Sequence, residues 1–101
     1  MKKIYMAGVG GMLGEAFYKQ FSEHYFLKCT DIDVNEAWLS FLDFRDKKSY
    51  RNDVIEFGPD FIFHIGAHTD LEYCELNEQD TYLTNTKSVE YAVNIANELS
   101  I

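Results

Sequence analysis

At 101 residues the chain has room for one domain. Its 47% hydrophobic content, with eight Phe and seven Tyr, suffices for a packed core and argues against disorder. A formal net charge of −8, with the basic residues scattered as singles and pairs, excludes binding nucleic acid or an anionic membrane through a basic surface. No apolar stretch approaches the ~20 residues of a bilayer span, and Cys29 and Cys74 stand apart without metal-ligand spacing, so the expectation is a cytoplasmic protein with two reduced thiols and no metal.

Residues 3–7 read as a buried strand that runs into three glycines spaced by three, Gly8, Gly11 and Gly14, within Gly8-Val9-Gly10-Gly11-Met12-Leu13-Gly14. A helix follows from Met12 to about His24, with Leu13, Phe17 and Phe21 recurring on one face beside Ala16. Strand, glycine turn and helix N-terminus together form an anion site, because free N–H groups and the positive end of the helix dipole face the ligand. The spacing also discriminates between nucleotide folds. A G-x-G-x-x-G reading from Gly8 puts Leu13 where glycine or alanine is needed, whereas G-x-x-G-x-x-G fits all three glycines. The phosphate loop of kinases and ATPases needs Gly-Lys-Ser/Thr, and Gly14 is followed by Glu15-Ala16.

Residues 26–30 read as a second strand ending at Asp31, placed so that its carboxylate accepts hydrogen bonds from ribose hydroxyls. Asp33 is a rival for that role. No arginine closely follows Asp31 and a carboxylate repels a 2′-phosphate, which favours NAD over NADP. Residues 39–44 suggest a short third strand. Asp46 is an N-cap for a helix over 47–57 with Tyr50 and Val54 facing inward, and Gly58-Pro59 stops it. Residues 61–65 form a fourth strand, apolar on both faces. A long helix over roughly 80–99 carries Val89, Ala92, Val93, Ala96 and Leu99 on one stripe. Strands alternating with helices predict an α/β, Rossmann-like doubly wound parallel sheet of four strands in the order 3-2-1-4, with helices on both faces. His64 and His68 are four residues apart, but on a strand that separation is about 13 Å, too far to share a metal; His64 reads as a satisfied core histidine.

The ordered motifs resemble the extended short-chain dehydrogenase/reductase family, and within it the dTDP-4-dehydrorhamnose reductases and related sugar-nucleotide reductases. The glycine turn with its Met-Leu-Gly, Leu42-Asp43-Phe44-Arg45-Asp46, the run from Pro59 to Glu75 and Thr84-Asn85-Thr86 carry the likeness. The resemblance implies that backbone around Gly10, Gly11, Met12 and Leu13 holds the diphosphate of NAD or NADP. It implies Asp31 on the adenosine ribose and Asp43 with Phe44 at the adenine. Gly66, Ala67 and His68 would line the diphosphate and nicotinamide-ribose side, with Thr69 close by. Asn85 would lie near the cofactor or brace the loop after strand four.

The family transfers hydride with a Tyr-x-x-x-Lys pair, and no tyrosine here has a lysine four residues on. Residues 1–101 are therefore expected to be the N-terminal NAD(P)-binding part of a longer enzyme, without its later strands and substrate domain, and inactive alone. The intact parent would reduce a 4-keto sugar on a nucleotide carrier. A non-catalytic regulatory module of the same fold, or a sugar-nucleotide epimerase or dehydratase, shares the residues named so far. An exposed fourth strand would permit self-association through the sheet edge.

Overall fold

The computed structural model describes residues 1–66 and 71–101. β1 (Lys3–Ala7) leads through the glycine turn into α1 (Met12–Phe21) and then β2 (Phe26–Asp31). β3 (Leu39–Phe41), α2 (Lys47–Phe57) and β4 (Phe61–His64) follow. The last third holds α3 (Leu71–Leu76), α4 (Glu78–Tyr82), a π-helical turn (Leu83–Lys87) and α5 (Ser88–Leu99). The four strands are all parallel and lie in the order β3-β2-β1-β4, as the alternation of elements predicts.

β1 is the spine, and its side chains alternate between two cores as the pleat requires. Tyr5 and Ala7 pack with Tyr50 and Val54 of α2 and with Ala92 and Ile95 of α5. Ile4 and Met6 pack on the opposite face with Val9, Cys29 and Leu39, under Phe17, Tyr18 and Phe21 of α1. The faces of Tyr18 and Trp38 stack at 4.4 Å, tying α1 to the loop before β3. At α2, Asp46 accepts from the Ser49 N–H at 3.2 Å and Gly58 closes the helix in the left-handed conformation (φ 66°), so both predicted signals act as caps.

Several boundaries and faces differ from the sequence reading. α1 ends at Phe21, three residues before His24, and its buried face is Gly14, Phe17, Tyr18 and Phe21; Leu13 and Ala16 are exposed. β3 stops at Phe41, because the chain turns away through Asp43, whose carboxylate accepts from the Arg45 N–H at 3.0 Å. β4 stops at His64, one residue before Ile65. As an edge strand it is only half-covered, with Phe61 exposed. The final helix begins before Asp80 and is interrupted by the π-helical turn; its packed stripe is Ser88, Ala92, Ile95 and Leu99, leaving Val89 and Val93 exposed.

Candidate functional site: a cleft at the strand tips

The carboxyl ends of the strands open into a cleft of about 540 Å³ beside β1 and β4, where the strand order reverses. Open parallel sheets bind ligands at such a switch point. Its floor is the glycine turn. Gly8 adopts φ 75°, and its N–H and that of Val9 donate to Thr30 O at 2.9 and 3.1 Å, which pins the turn to β2. Gly8 also crosses Gly66 so closely that a Cβ would lie 2.3 Å from Gly66 Cα. The N–H of Gly10 donates to Asp31 Oδ2 at 2.8 Å, and the backbone N–H of Asp33 donates to Oδ1 at 2.9 Å, so Asp31 is oriented from both sides. Gly14 rests on Val9, bringing the start of α1 against the end of β1.

Gly11 is the N-cap of α1 and makes no side-chain cap. The first-turn N–H groups of a helix have no intrahelical acceptor. They open here onto the cleft, where Gly11, Met12, Leu13 and Gly14 all lie. A Cβ built on Gly11 would meet nothing within 4 Å. The arrangement fits a diphosphate: an uncapped helix N-terminus, space above it, and an oriented carboxylate at the next strand tip.

On the other side the cleft is walled by Asp43, Phe44 and Arg45 after β3, and by Tyr73, Asp80 and Thr84 from the helical segment. Arg45 joins the two walls. Its Nε and Nη2 donate to Asp43 Oδ1 and Oδ2, both at 2.8 Å, and Nη1 donates to Asp80 Oδ1 at 2.6 Å. The Tyr73 hydroxyl donates to Asp80 Oδ2. The hydrogen bonds from Arg45 hold the Asp43 carboxyl below the usual carboxylate range, outweighing its partial burial. Both carboxylates in turn raise the Arg45 guanidinium.

Behind Phe44, His64 is a satisfied core histidine, as its strand position suggests. Its Nδ1 lies 2.9 Å from Tyr50 Oη and its Nε2 lies 2.9 Å from Ser88 Oγ. Ser88 Oγ donates to Thr84 O, so it accepts from His64 Nε2–H, and Nδ1 accepts from Tyr50. Burial pushes this imidazole down to about 4 and the Tyr50 phenol above its ordinary value.

Of the residues expected in the site, Gly8, Gly11, Met12, Leu13, Gly14, Asp31, Asp43, Phe44 and Gly66 line the cleft. Gly10 supports it through Asp31. Asn85 lies half-buried in the π-helical turn, where its neighbour Thr84 is the residue that faces the cleft. Ala67, His68 and Thr69 lie outside the described residues. Sequence reasoning missed Arg45, Tyr73, Asp80 and Thr84 as cleft residues. Arg45, Tyr73 and Thr84 sit inside quoted motifs, and the charge of Arg45 was the available signal; nothing local marks Asp80. Among the described residues no cluster of His, Cys, Asp and Glu could hold a metal, and no helix is long and apolar enough to cross a membrane.

The fold is shared with solved structures. A hypothetical dTDP-4-dehydrorhamnose reductase from Sulfolobus tokodaii superposes with a TM-score of 0.90 at 23% identity, over 99% of this chain and 36% of that one. The L-threonine dehydrogenase of Clostridium difficile gives 0.87 at 21% identity, over 99% of this chain and 34% of that one. A dTDP-4-dehydrorhamnose reductase from Bacillus anthracis, in complex with NADP, gives 0.85 at 19% identity, again over 99% and 34%. The chain thus spans about a third of the length of these structures. No curated protein matches it. The family model described as RmlD substrate binding domain matches residues 1–101.

Proposed function

Since the chain belongs to the RmlD substrate binding domain family, we propose that residues 1–101 form the N-terminal NAD(P)-binding part of a sugar-nucleotide reductase of the dTDP-4-dehydrorhamnose reductase type. The observation that carries this reading is the uncapped N-terminus of α1, opening onto a cleft whose next strand tip presents the oriented carboxylate of Asp31. Backbone N–H groups of Met12, Leu13 and Gly14 would hold the diphosphate, and Asp31 the adenosine ribose. Asp43, at the tip of the following strand, would meet the adenine. When bound, a nicotinamide dinucleotide supplies hydride for reduction of a 4-keto sugar.

This chain's own part is to bind and orient. None of its tyrosines has a lysine four residues on, and the proton relay is assigned to another segment of the protein, together with the later strands and substrate domain. NAD is the favoured cofactor. Asp31 would repel a 2′-phosphate, and the guanidinium of Arg45 is already held between two carboxylates.

Calorimetric titration tests the reading. NADH is expected to bind at millimolar concentration or tighter, and NADPH more weakly. Asp31→Ala should weaken NADH about tenfold, through the lost ribose contacts and the released Gly10 N–H. Absence of binding by either dinucleotide at millimolar concentration, or an Asp31→Ala protein that binds as the parent does, would sink it.

A further inference from the structure

Resting on that cofactor reading, we propose that the Arg45–Asp80 ion pair is a strap across the rim of the cleft. It holds the helical wall shut in the free protein, and its release, with α4 swinging away, admits the dinucleotide.

The first support is where the pair lies. The floor of the cleft is the glycine turn and the start of α1, whereas Arg45 and Asp80 line its two facing walls, 35 residues apart in the chain. Their side chains keep 31% and 24% of their exposure, so the bridge is at the solvent edge and not in the floor. A ligand bound for the floor has to pass between walls that this pair draws together, Nη1 to Oδ1 at 2.6 Å.

The second support is that the two ends of the strap are unequal. After β3, Asp43 grips Arg45 three times, through its backbone N–H, Nε and Nη2. Such forked pairing fixes a guanidinium in place. Toward the helical wall it reaches Asp80 with Nη1 alone. Release therefore falls at Asp80.

The third support is the element that carries Asp80. α4 is five residues long, buries none of them, and packs chiefly on its chain neighbours, α3 and the π-helical turn. Segments with few buried contacts open locally at small cost, and an ion pair this exposed adds only modestly to that cost. The Tyr73 hydroxyl of α3 donates to the same carboxylate, which joins α3 to α4 as one moving wall. The motion has a place to stop. The π-helical turn interrupts the regular helical ladder, where helices bend, and directly after it Ser88 is anchored to His64 of β4 at 2.9 Å.

Hydrogen exchange and NADH titration, run on the parent and on Asp80→Ala, test the strap together. Without ligand, the α4 amides of the variant are expected to exchange about two- to fivefold faster. NADH should bind tighter by a similar factor, because the apparent dissociation constant falls as the open fraction rises. Salt at about 0.5 M should bring the exchange of the parent toward that of the variant, since an exposed pair is screened. Asp80→Asn keeps an acceptor for Nη1 without the ion pair and should move both readouts less, in the same direction; it serves if Asp80→Ala does not fold. Tighter NADH binding with unchanged exchange would assign the effect to charge repulsion alone and overturn the proposal. Faster exchange with unchanged or weaker binding would make the pair a structural tie, and a variant that changes neither readout removes the strap as well. All three results leave the cofactor reading standing. A parent and a variant that both fail to bind NADH remove that reading and the strap with it.

Discussion

A methyl group on Gly14 would place its carbon 2.0 Å from the carbonyl oxygen of Val9, in contact with backbone that cannot step aside. Gly11, three residues earlier, has an extended conformation open to any residue (φ −96°, ψ −171°) and no atom within 4 Å of a Cβ. The two alanine variants should therefore separate folding from binding. Gly14→Ala is expected to destabilise by roughly 1–3 kcal/mol or more, read as a clear drop in Tm. Gly11→Ala should melt within a few degrees of the parent while losing dinucleotide affinity, because its methyl enters the space above the helix N-terminus. Equal melting temperatures for the two proteins would contradict this division of roles. The same glycine explains an error of sequence reading. An apolar pattern cannot register a residue without a side chain as a core position, so periodicity sets Leu13 and Ala16 beside Phe17 and Phe21 on the buried face of α1. The close approach at Gly14 rotates the helix and sends Leu13 to the cleft.

At the scale of elements, a polar contact from His64 to Ser88 joins β4 to the last helix, made where the helix widens into its π-helical turn. Ser88 is fully buried because its hydroxyl is satisfied twice, by the histidine and by Thr84 O. This buried serine displaced the predicted stripe of Val89 and Val93, since burial of a polar side chain depends on partners that are distant in sequence. The caps of α2, by contrast, are local, and Asp46 and Gly58 were legible for that reason.

The histidine also sets a pH dependence. Its folded value, about 4, lies below the ordinary 6.5, so between these values the unfolded chain binds a proton that the folded one refuses. The stability it contributes is complete above about 6.5 and is lost as pH falls toward 4. Thermal melts across that window should show Tm falling with acidification, with uptake of about one proton on unfolding. His64→Gln should flatten that part of the curve; an unchanged slope would place the titration elsewhere. The lowered Asp43 value acts in the same direction in a separate window, below the usual carboxylate range.

For the whole molecule, sheet order and layering were readable from the alternation of elements, because parallel strands require a crossover and the chain supplies a helix between β1 and β2 and between β3 and β4, while β2 reaches β3 through residues 32–38 without one. The candidate cleft was readable as far as its strand tips, through the glycines, Asp31 and Asp43. Its other wall was not, because Tyr73, Asp80 and Thr84 reach the cleft through the packing of the helical segment, which the motifs around Tyr73 and Thr84 do not specify. The sheet has two edges, β3 and β4, and each exposes a phenylalanine, Phe41 at 67% and Phe61 at 45%. Edge strands with exposed apolar side chains pair with other chains. Sedimentation velocity of residues 1–101 should therefore show association that grows with concentration, and Phe61→Lys should reduce it. A sedimentation coefficient independent of concentration would argue that the net charge of −8 keeps the chains apart.

The central position of β1 has a consequence for how the molecule is made. Of the four strands β1 is made before the others, and it pairs on both sides, with β2 and, far later in the chain, with β4. At about 5–20 residues per second the second partner arrives some seconds after the first. Until then the Ile4–Ala7 segment, destined for both cores, stays open along one side. Synthesis order thus leaves the most buried strand exposed longest, and makes it the stretch that a nascent-chain chaperone would have most reason to cover.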